Sequence, residues 1–244
     1  MDIHFLSEPD FKNPIMVAAW PGMGYLAKIS ADYLRKSLDA SLFAEVEYYN
    51  NVLVYKKGLC ELAPIKHKFY SIQSENLIVC IGDAQPSTPK ESLHLGECIL
   101  QVAQKYQVQR IYTMAAFPND FFHEPKVYGI YTDESLRPLL EERDVTILEE
   151  EGVVNGLNGV IIGLAKRMGI QGVCLMGDIR YANIPQHLSS KAVLERLVDI
   201  LGIQIDMNLL DERAEKVDAS IQQELERHQK DGVEGDEEKL GYIS

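Results

Sequence analysis

Five polar side chains that could bind or act on a small molecule follow runs of apolar residues. They are Asp83, Asp120, His123, Asp178 and Arg180. If the apolar runs are parallel strands, these side chains gather beyond the carboxyl ends, where ligands of open α/β sheets bind. The chemistry predicted is that of a small-molecule enzyme or a nucleotide-binding protein. A helix N-cap or a loop ion pair would also explain each residue singly, because polar residues are common at strand ends in any α/β fold.

A glycine turn, Gly22-Met23-Gly24, is a second candidate feature of the same ligand site. A helix that begins after such a turn presents unpaired backbone N–H groups and the positive end of its dipole to an anion. The turn and Ala27 fit the G-x-G-x-x-A form of a dinucleotide-binding fingerprint. The fingerprint also needs an acidic residue at the end of the next strand, about 20 residues on, but Glu45 and Glu47 lie inside an apolar run and not at a clear strand end. The simpler interpretation carries more weight: the glycines let the chain turn and let the helix pack closely on the sheet.

The strands that would position these residues are predicted from apolar runs without alternation, which are typical of strands covered on both faces. The runs are residues 15–20, 76–82, 110–116 and 172–176. Helical periodicity separates them, from Tyr25 onward and again at residues 91–106, 133–143 and 187–201. This alternation predicts an α/β fold, a three-layer α/β/α sandwich with a mostly parallel mixed sheet.

An antiparallel insertion is predicted after the first helix. Residues 41–55 are rich in Val, Tyr, Phe and Leu, with Asn50-Asn51 near the middle, which favours two strands joined by a turn at the asparagines. Residues 66–73 are predicted to form a further strand of this insertion. Later in the chain, residues 127–131 are predicted to form a separate short strand.

A second glycine-rich stretch, residues 152–169, predicts a turn that opens a helix ending at Gly169. Gly159 and Gly163 are four residues apart, so we expect a neighbouring element to approach that helix closely. The stretch is not a P-loop, because Lys166 is followed by Arg167 and lies inside the helix.

Composition narrows the possible functions. The 244 residues suit one large α/β domain as well as two small ones, and the net charge of −13 argues against a broad nucleic-acid surface. No apolar run reaches the length of a membrane span and no secretion signal is evident, so we expect a cytoplasmic protein. The widely spaced cysteines read as buried thiols, and the six scattered histidines support no metal site or catalytic triad. No cofactor is predicted.

The end of the chain has a different character. A narrow apolar stripe at helical spacing predicts an amphipathic helix that packs on the body or pairs with a second subunit. Its members are Leu210, Ala214, Val217, Ile221 and Leu225. We expect a single α/β domain at 1–208, this helix at 209–230 and an acidic mobile tail at 231–244. The apolar cluster Tyr242-Ile243 at the tip is either a docking peptide or a frayed end.

Several of these stretches together resemble the proteasome assembly chaperone 2 family, as a prokaryotic member. They are the strand and turn at 15–24, the glycine-rich helix and the strand at 152–177, and the segment 201–206. The most specific part runs from Gly156-Leu157-Asn158-Gly159 to Ile170. The resemblance implies an α/β/α fold of the phosphorylase/hydrolase-like type, homo-oligomers, and a binding role without an established catalytic activity.

The resemblance also implies partners. Eukaryotic relatives help to assemble proteasome α-rings, and some archaeal relatives engage the proteasome through a C-terminal hydrophobic-tyrosine-any tripeptide. This sequence departs from that tripeptide, because Tyr242 is third from the end, after Gly241 and before Ile243 and Ser244.

Three hypotheses follow. The leading one is a non-enzymatic, homo-oligomeric, chaperone-like protein whose partners are itself and proteasome α-subunits; many prokaryotic relatives have no assigned role. The rival is a small-molecule enzyme or nucleotide-binding protein that uses the Gly22-Met23-Gly24 turn with Asp83, Asp178 and Arg180. A third is a structural oligomer whose contacts are made by the C-terminal helix.

Overall fold

The computed structural model describes residues 1–119, 124–217, 219 and 220, with the backbone but not the side chains of residues 50–52. Its strands are β1 Asp2–Phe5, β2 Ile15–Ala19, β3 Ser41–Lys56, β4 Leu59–Ile72, β5 Leu77–Gly82, β6 Arg110–Pro118, β7 Val127–Tyr131, β8 Thr146–Ile147 and β9 Gln171–Ile179. Its helices are α1 Leu26–Ser37, α2 Pro89–Lys105, α3 Arg137–Glu141, α4 Leu157–Arg167 and α5 His187–Leu201, and residues 208–217 are also helical.

The strands form one mixed sheet in the order β1-β3-β4-β5-β2-β6-β9-β7-β8. Its centre is parallel, because β2 pairs with β5 and β6, and β6 pairs with β9, in the parallel sense. Antiparallel strands flank this centre, with β4 beside β5 and β7 beside β9. The carboxyl ends of β5, β2, β6 and β9 therefore meet along one edge of the sheet.

Helices cover both faces of the sheet, with α1 against α5 on one side and α2 against α4 on the other. The sequence of strand β2 is apolar without alternation because both of its faces are buried. Met16 and Ala18 lie in the core under α2 and α4, whereas Val17 and Ala19 lie in the core under α1 and α5, and all four are fully buried. Burial of a large aliphatic side chain stabilises the fold by about 1.5–3 kcal/mol. The predicted α/β/α sandwich is confirmed.

The predicted turn at Asn50-Asn51 is wrong. Strand β3 continues through both asparagines, and the chain reverses at Lys57-Gly58, whose φ angles of 51° and 82° suit a two-residue hairpin turn. The asparagines, which often form turns, lie where the pairing of β3 with β4 shifts register between Tyr49 and Leu53. A bulge therefore absorbs the irregularity without ending the strand.

The second glycine-rich stretch forms the predicted helix α4, but only one of its two spaced glycines permits a close approach. A Cβ atom on Gly159 would lie 2.5 Å from the carbonyl oxygen of Val154, in the loop just before the helix. A Cβ atom on Gly163 would meet nothing within 4 Å, so the expectation of a neighbour there is wrong. Among the described residues, every helix is too short or too polar to span a bilayer.

Gly82, the last residue of β5, lies against two buried rings. A Cβ atom there would come within 2.2 Å of the Trp20 indole and 2.5 Å of His67 Nδ1. Because both rings are fully buried and bonded to each other, they have little room to move.

We expect Gly82→Ala to lower the free energy of unfolding by at least about 1–3 kcal/mol, the usual cost of overpacking a core. Urea unfolding followed by the fluorescence of Trp20, the only tryptophan, measures this. The matched control is Gly163→Ala, which fills open space in a helix and should stabilise the protein by about 0.5–1 kcal/mol. An unchanged unfolding midpoint for Gly82→Ala would contradict the packing described.

Candidate functional site

The carboxyl-end edge of the parallel strands is built around the peptide groups of Trp20, which directly follow β2. The backbone N–H of Trp20 donates to Asn158 Oδ1 at 3.0 Å, and Asn158 Nδ2 donates back to the Trp20 carbonyl at 3.3 Å. Both residues are buried, with Asn158 5% exposed and Trp20 fully covered. One side-chain amide thus satisfies both backbone groups at the end of a central strand, which buried polar groups require.

Gln85 makes a second bridge across the same edge. Its Nε2 donates to the Pro21 carbonyl at 2.6 Å, and its Oε1 accepts the backbone N–H of Leu157 at 2.9 Å. The first turn of α4 is therefore tied to the loop after β2 and to the loop after β5. Gly156, with φ 82°, is required here, because a Cβ atom would lie 2.5 Å from Gln85 Oε1.

The indole of Trp20 is held by a buried histidine. Trp20 Nε1 donates to His67 Nδ1 at 2.9 Å, and the His67 ring stacks on Tyr48 with ring planes 5° apart. Among the described atoms, His67 Nε2 and the Tyr48 hydroxyl have no hydrogen-bond partner. Burial lowers the pKa of His67 to about 4, so the imidazole is neutral at pH 7 and can accept the indole N–H.

The glycine turn before α1 is engaged by the chain itself. Gly24, with φ 62°, donates its N–H to the Ala182 carbonyl at 2.6 Å and accepts the N–H of Gln186 at 2.9 Å. A Cβ atom on Gly24 would lie 2.6 Å from Gln186 Cγ. These contacts support the simpler interpretation of the glycines, close packing in a left-handed turn. Gly22 keeps an extended conformation with φ −152°, and the side chain of Met23 is half exposed.

The predicted polar site is spread along the edge. Asp178 is buried, where its carboxylate accepts from Asn119 Nδ2 at 3.2 Å and from the N–H of Lys126 at 3.1 Å, so it joins the ends of β6, β7 and β9. Asp83 and Arg180 are exposed, and the backbone N–H of Arg180 donates to Gln186 Oε1.

Strands β2 and β6 separate Asp83 from Asp178, a distance of about 14 Å between backbones at the usual strand spacing. Asp120 and His123 lie outside the described residues. No group of three or more His, Cys, Asp or Glu side chains suited to a metal ion occurs in the described part of the chain. A ligand site at this edge remains a prediction.

The predicted partner-binding stripe is divided between core and surface. Leu210 is fully buried in the core under α1 and α5, and Val217 is partly exposed. Ile221, Leu225, Tyr242 and Ile243 lie outside the described residues.

The sequence reasoning did not identify one exposed apolar surface: the tip of the β3–β4 hairpin, residues 53–62, called here the arm. Its residues pair only with each other, since β1 reaches β3 only up to Glu47 and β5 reaches β4 only from His67. The cross-strand pairs Leu53–Leu62 and Tyr55–Cys60 share one face, which carries no charge. The thiol of Cys60 is exposed, so the prediction of buried cysteines is wrong at this position.

Exposure on the arm is large for apolar side chains. On the uncharged face Tyr55 is 78% exposed and Leu53 and Leu62 are 56% exposed each, and on the opposite face Leu59 is 81% exposed. Contiguous apolar surface of this kind marks an interaction site in a folded protein.

We expect the stability of the protein to fall as the pH drops from about 6.5 to about 4, because the unfolded chain binds a proton at His67 in this window and the folded chain does not. Between pH 7 and pH 5 the contribution of His67 is about 2 kcal/mol. Urea unfolding at both pH values measures it. The Gln side chain in His67→Gln still accepts a hydrogen bond but does not titrate. The free energy of unfolding of this variant should therefore fall by about 2 kcal/mol less than that of the parent between pH 7 and pH 5.

The matched control is His94→Gln, which removes an exposed histidine on α2 and should keep the parental pH dependence. An equal loss of stability in the parent and in His67→Gln would show that His67 is not the titrating group.

Comparison with known proteins places the whole body of the chain in one group. The family model described as PAC2 family matches residues 16–225. The uncharacterized protein MJ1210 of Methanocaldococcus jannaschii is 30% identical over 216 residues, which cover 86% of this chain and 83% of that protein.

Two solved structures from Pyrococcus furiosus are similar over nearly their full length. PbaB, described as an archaeal proteasome activator, has a TM-score of 0.82 at 28% identity and covers 91% of this chain and 97% of its own. PbaA, described as an archaeal homolog of proteasome-assembly chaperone, has a TM-score of 0.76 at 22% identity and covers 99% of both chains, which shows the shared fold. The chain therefore belongs to the PAC2 family.

Proposed function

We propose that this chain is a non-enzymatic, homo-oligomeric, chaperone-like protein of the cytoplasm that binds proteasome α-subunits. The observation that carries the proposal is the uncharged, exposed face of the arm, formed by Leu53, Tyr55, Cys60 and Leu62. A surface of this kind binds protein, whereas the carboxyl-end edge of the sheet has its central backbone groups occupied by Asn158 and Gln85.

The arm is assigned to self-association. A two-stranded ribbon alone is at best marginally stable in water, so a surface that covers the arm would stabilise it. Another copy of the same chain is a partner that is available wherever the protein is made. Repulsion between two arms is also weak, because residues 53–62 carry two lysines and one glutamate, a net charge of only +1, in a chain of −13.

The proposal that the partner is a proteasome rests on similar proteins. PbaB, at 28% identity, is described as a proteasome activator, and PbaA as a homolog of proteasome-assembly chaperone. We assign the corresponding contact in this chain to the tip that holds Tyr242 and Ile243, although the position of the tyrosine differs from the archaeal tripeptide.

The alternative function is a small-molecule enzyme or nucleotide-binding protein that uses the glycine turn with Asp83, Asp178 and Arg180. The arrangement of these residues does not support it. Asp178 is buried and paired, and the Gly24 N–H is bonded to Ala182.

We expect Leu53→Asp to reduce the native mass of the protein to that of a monomer, because a charge placed against Leu62 must be desolvated in any contact between arms. Light scattering after size-exclusion chromatography measures the mass. Val54→Asp is the matched control, since Val54 lies on the opposite face of the same strand and the substitution is chemically equal; it should leave the mass unchanged. A monomeric parent would contradict homo-oligomerisation, and an oligomeric Leu53→Asp would remove the arm from the interface.

We expect an N-terminally tagged chain to capture proteasome α-subunits from the extract of its own cells, identified by mass spectrometry. Tyr242→Ala in the full chain, and a chain that ends at Lys230, should both lose them. Recovery of the protein alone from all three samples would contradict the proteasome assignment. Equal capture of α-subunits by all three would place the contact outside the tail.

A further inference from the structure

A groove of about 500 Å³ lies between α1, the turn before α5 and the helical residues 208–217. Its apolar lining includes Tyr25, Ile29 and Leu209, and the side chains of Tyr25 and Leu209 are nearly half exposed. The groove lies on the α1 and α5 side of the sheet, and none of its lining residues belongs to the arm. It has room for the side chains of a short apolar peptide.

The same groove carries positive charge in an acidic protein. Lys28, Lys36 and Arg213 line it, against a single acid, Asp32. Lys28 pairs with Asp32 at 3.4 Å, whereas Lys36 and Arg213 form no ion pair with any described residue. Arg213 also lowers the pKa of the neighbouring His187, after the larger effect of burial, which shows its field acting inside the groove. The groove therefore suits a peptide that combines acidic and apolar residues.

The chain's own end has that composition. Residues 231–239 hold five acids and one lysine, and Leu240, Tyr242 and Ile243 follow. Residues 209 and 213, which line the groove, lie on the helix from which this segment continues. The 24 residues from 221 to 244 span up to about 80 Å when extended, so the end of the chain can return to the groove.

We propose that the groove between α1 and residues 208–217 binds residues 231–244 of the same chain. The acids face Lys36 and Arg213, and Tyr242 and Ile243 lie on the apolar lining of Tyr25, Ile29 and Leu209. Bound in this way, the tail is held against the body of its own subunit, and any partner that takes the tail must first displace it from the groove. The inference does not depend on the partner being a proteasome.

Cross-linking in the full chain tests the proposal. Tyr242→p-benzoylphenylalanine places a photoreactive ring at the tip, and mass spectrometry locates the attachment. We expect cross-links to residues 25–37 and 209–213. An equal mixture of ¹⁵N-labelled and unlabelled protein, unfolded together in urea and refolded so that the subunits exchange, distinguishes the two possible sources of the tail. Cross-linked pairs of a single isotope are expected, and mixed pairs would overturn binding within one chain in favour of a neighbouring copy.

Surface variants test the charges. Lys36→Glu with Arg213→Glu should reduce the cross-link yield at least fivefold, and changing Glu237 and Glu238 to Lys in the same chain should restore it. Both basic side chains are exposed, so the fold is preserved, and Lys90→Glu at the exposed start of α2, on the other face of the sheet, is the matched control with an unchanged yield. Cross-links located elsewhere would overturn the proposal. So would a cross-link yield in the groove that is unchanged by Lys36→Glu with Arg213→Glu.

Discussion

The structure depends on how the end of one buried strand is sealed. Strand β2 lies at the centre of the sheet with helices on both faces, so the peptide groups where it stops cannot reach water. Asn158 pairs with both polar groups of Trp20, and the neighbouring bridge from Gln85 holds the first turn of α4 in place. An unpaired buried backbone group costs about 1–3 kcal/mol, so the fold is stabilised when α4 lies where Asn158 reaches both groups of Trp20. Helix α2 packs against α4 on the same face of the sheet.

The same arrangement bears on function. In open α/β sheets the carboxyl edge is the usual ligand site. Here the side chains of Asn158 and Gln85 bond to the end of β2, and backbone groups of Ala182 and Gln186 bond to the glycine turn. The surfaces proposed for recognition are the uncharged face of the arm and the basic, apolar groove beside α1. A fold shared with many enzymes thus presents, in this member of the PAC2 family, surfaces suited to protein segments.

Prediction from the sequence succeeded where the signal was local. The continuous apolar runs identified β2, β5, β6 and β9, and helical periodicity identified α1, α2, α4 and α5, because burial on both faces or on one stripe dictates residue type along a short segment. It failed where two residues far apart decide the outcome. Asn158 reads as a polar residue in an apolar helix, and its partner Trp20 is 138 residues away. The hairpin turn was misplaced because the asparagines and Lys57-Gly58 both suit turns, and the pairing of β3 with β4 decides between them.

The distance between Trp20 and Asn158 also has a consequence for synthesis of the protein. A ribosome adds about 5–20 residues per second, so 138 residues take about 7–28 seconds. During that time β2 is outside the ribosome without the amide that seals it, and the hairpin of β3 and β4 has already emerged. The strands that face the interior of the finished sheet are then accessible to other chains. Pairing across a long sequence separation thus lengthens the period during translation in which exposed strands can associate with other chains.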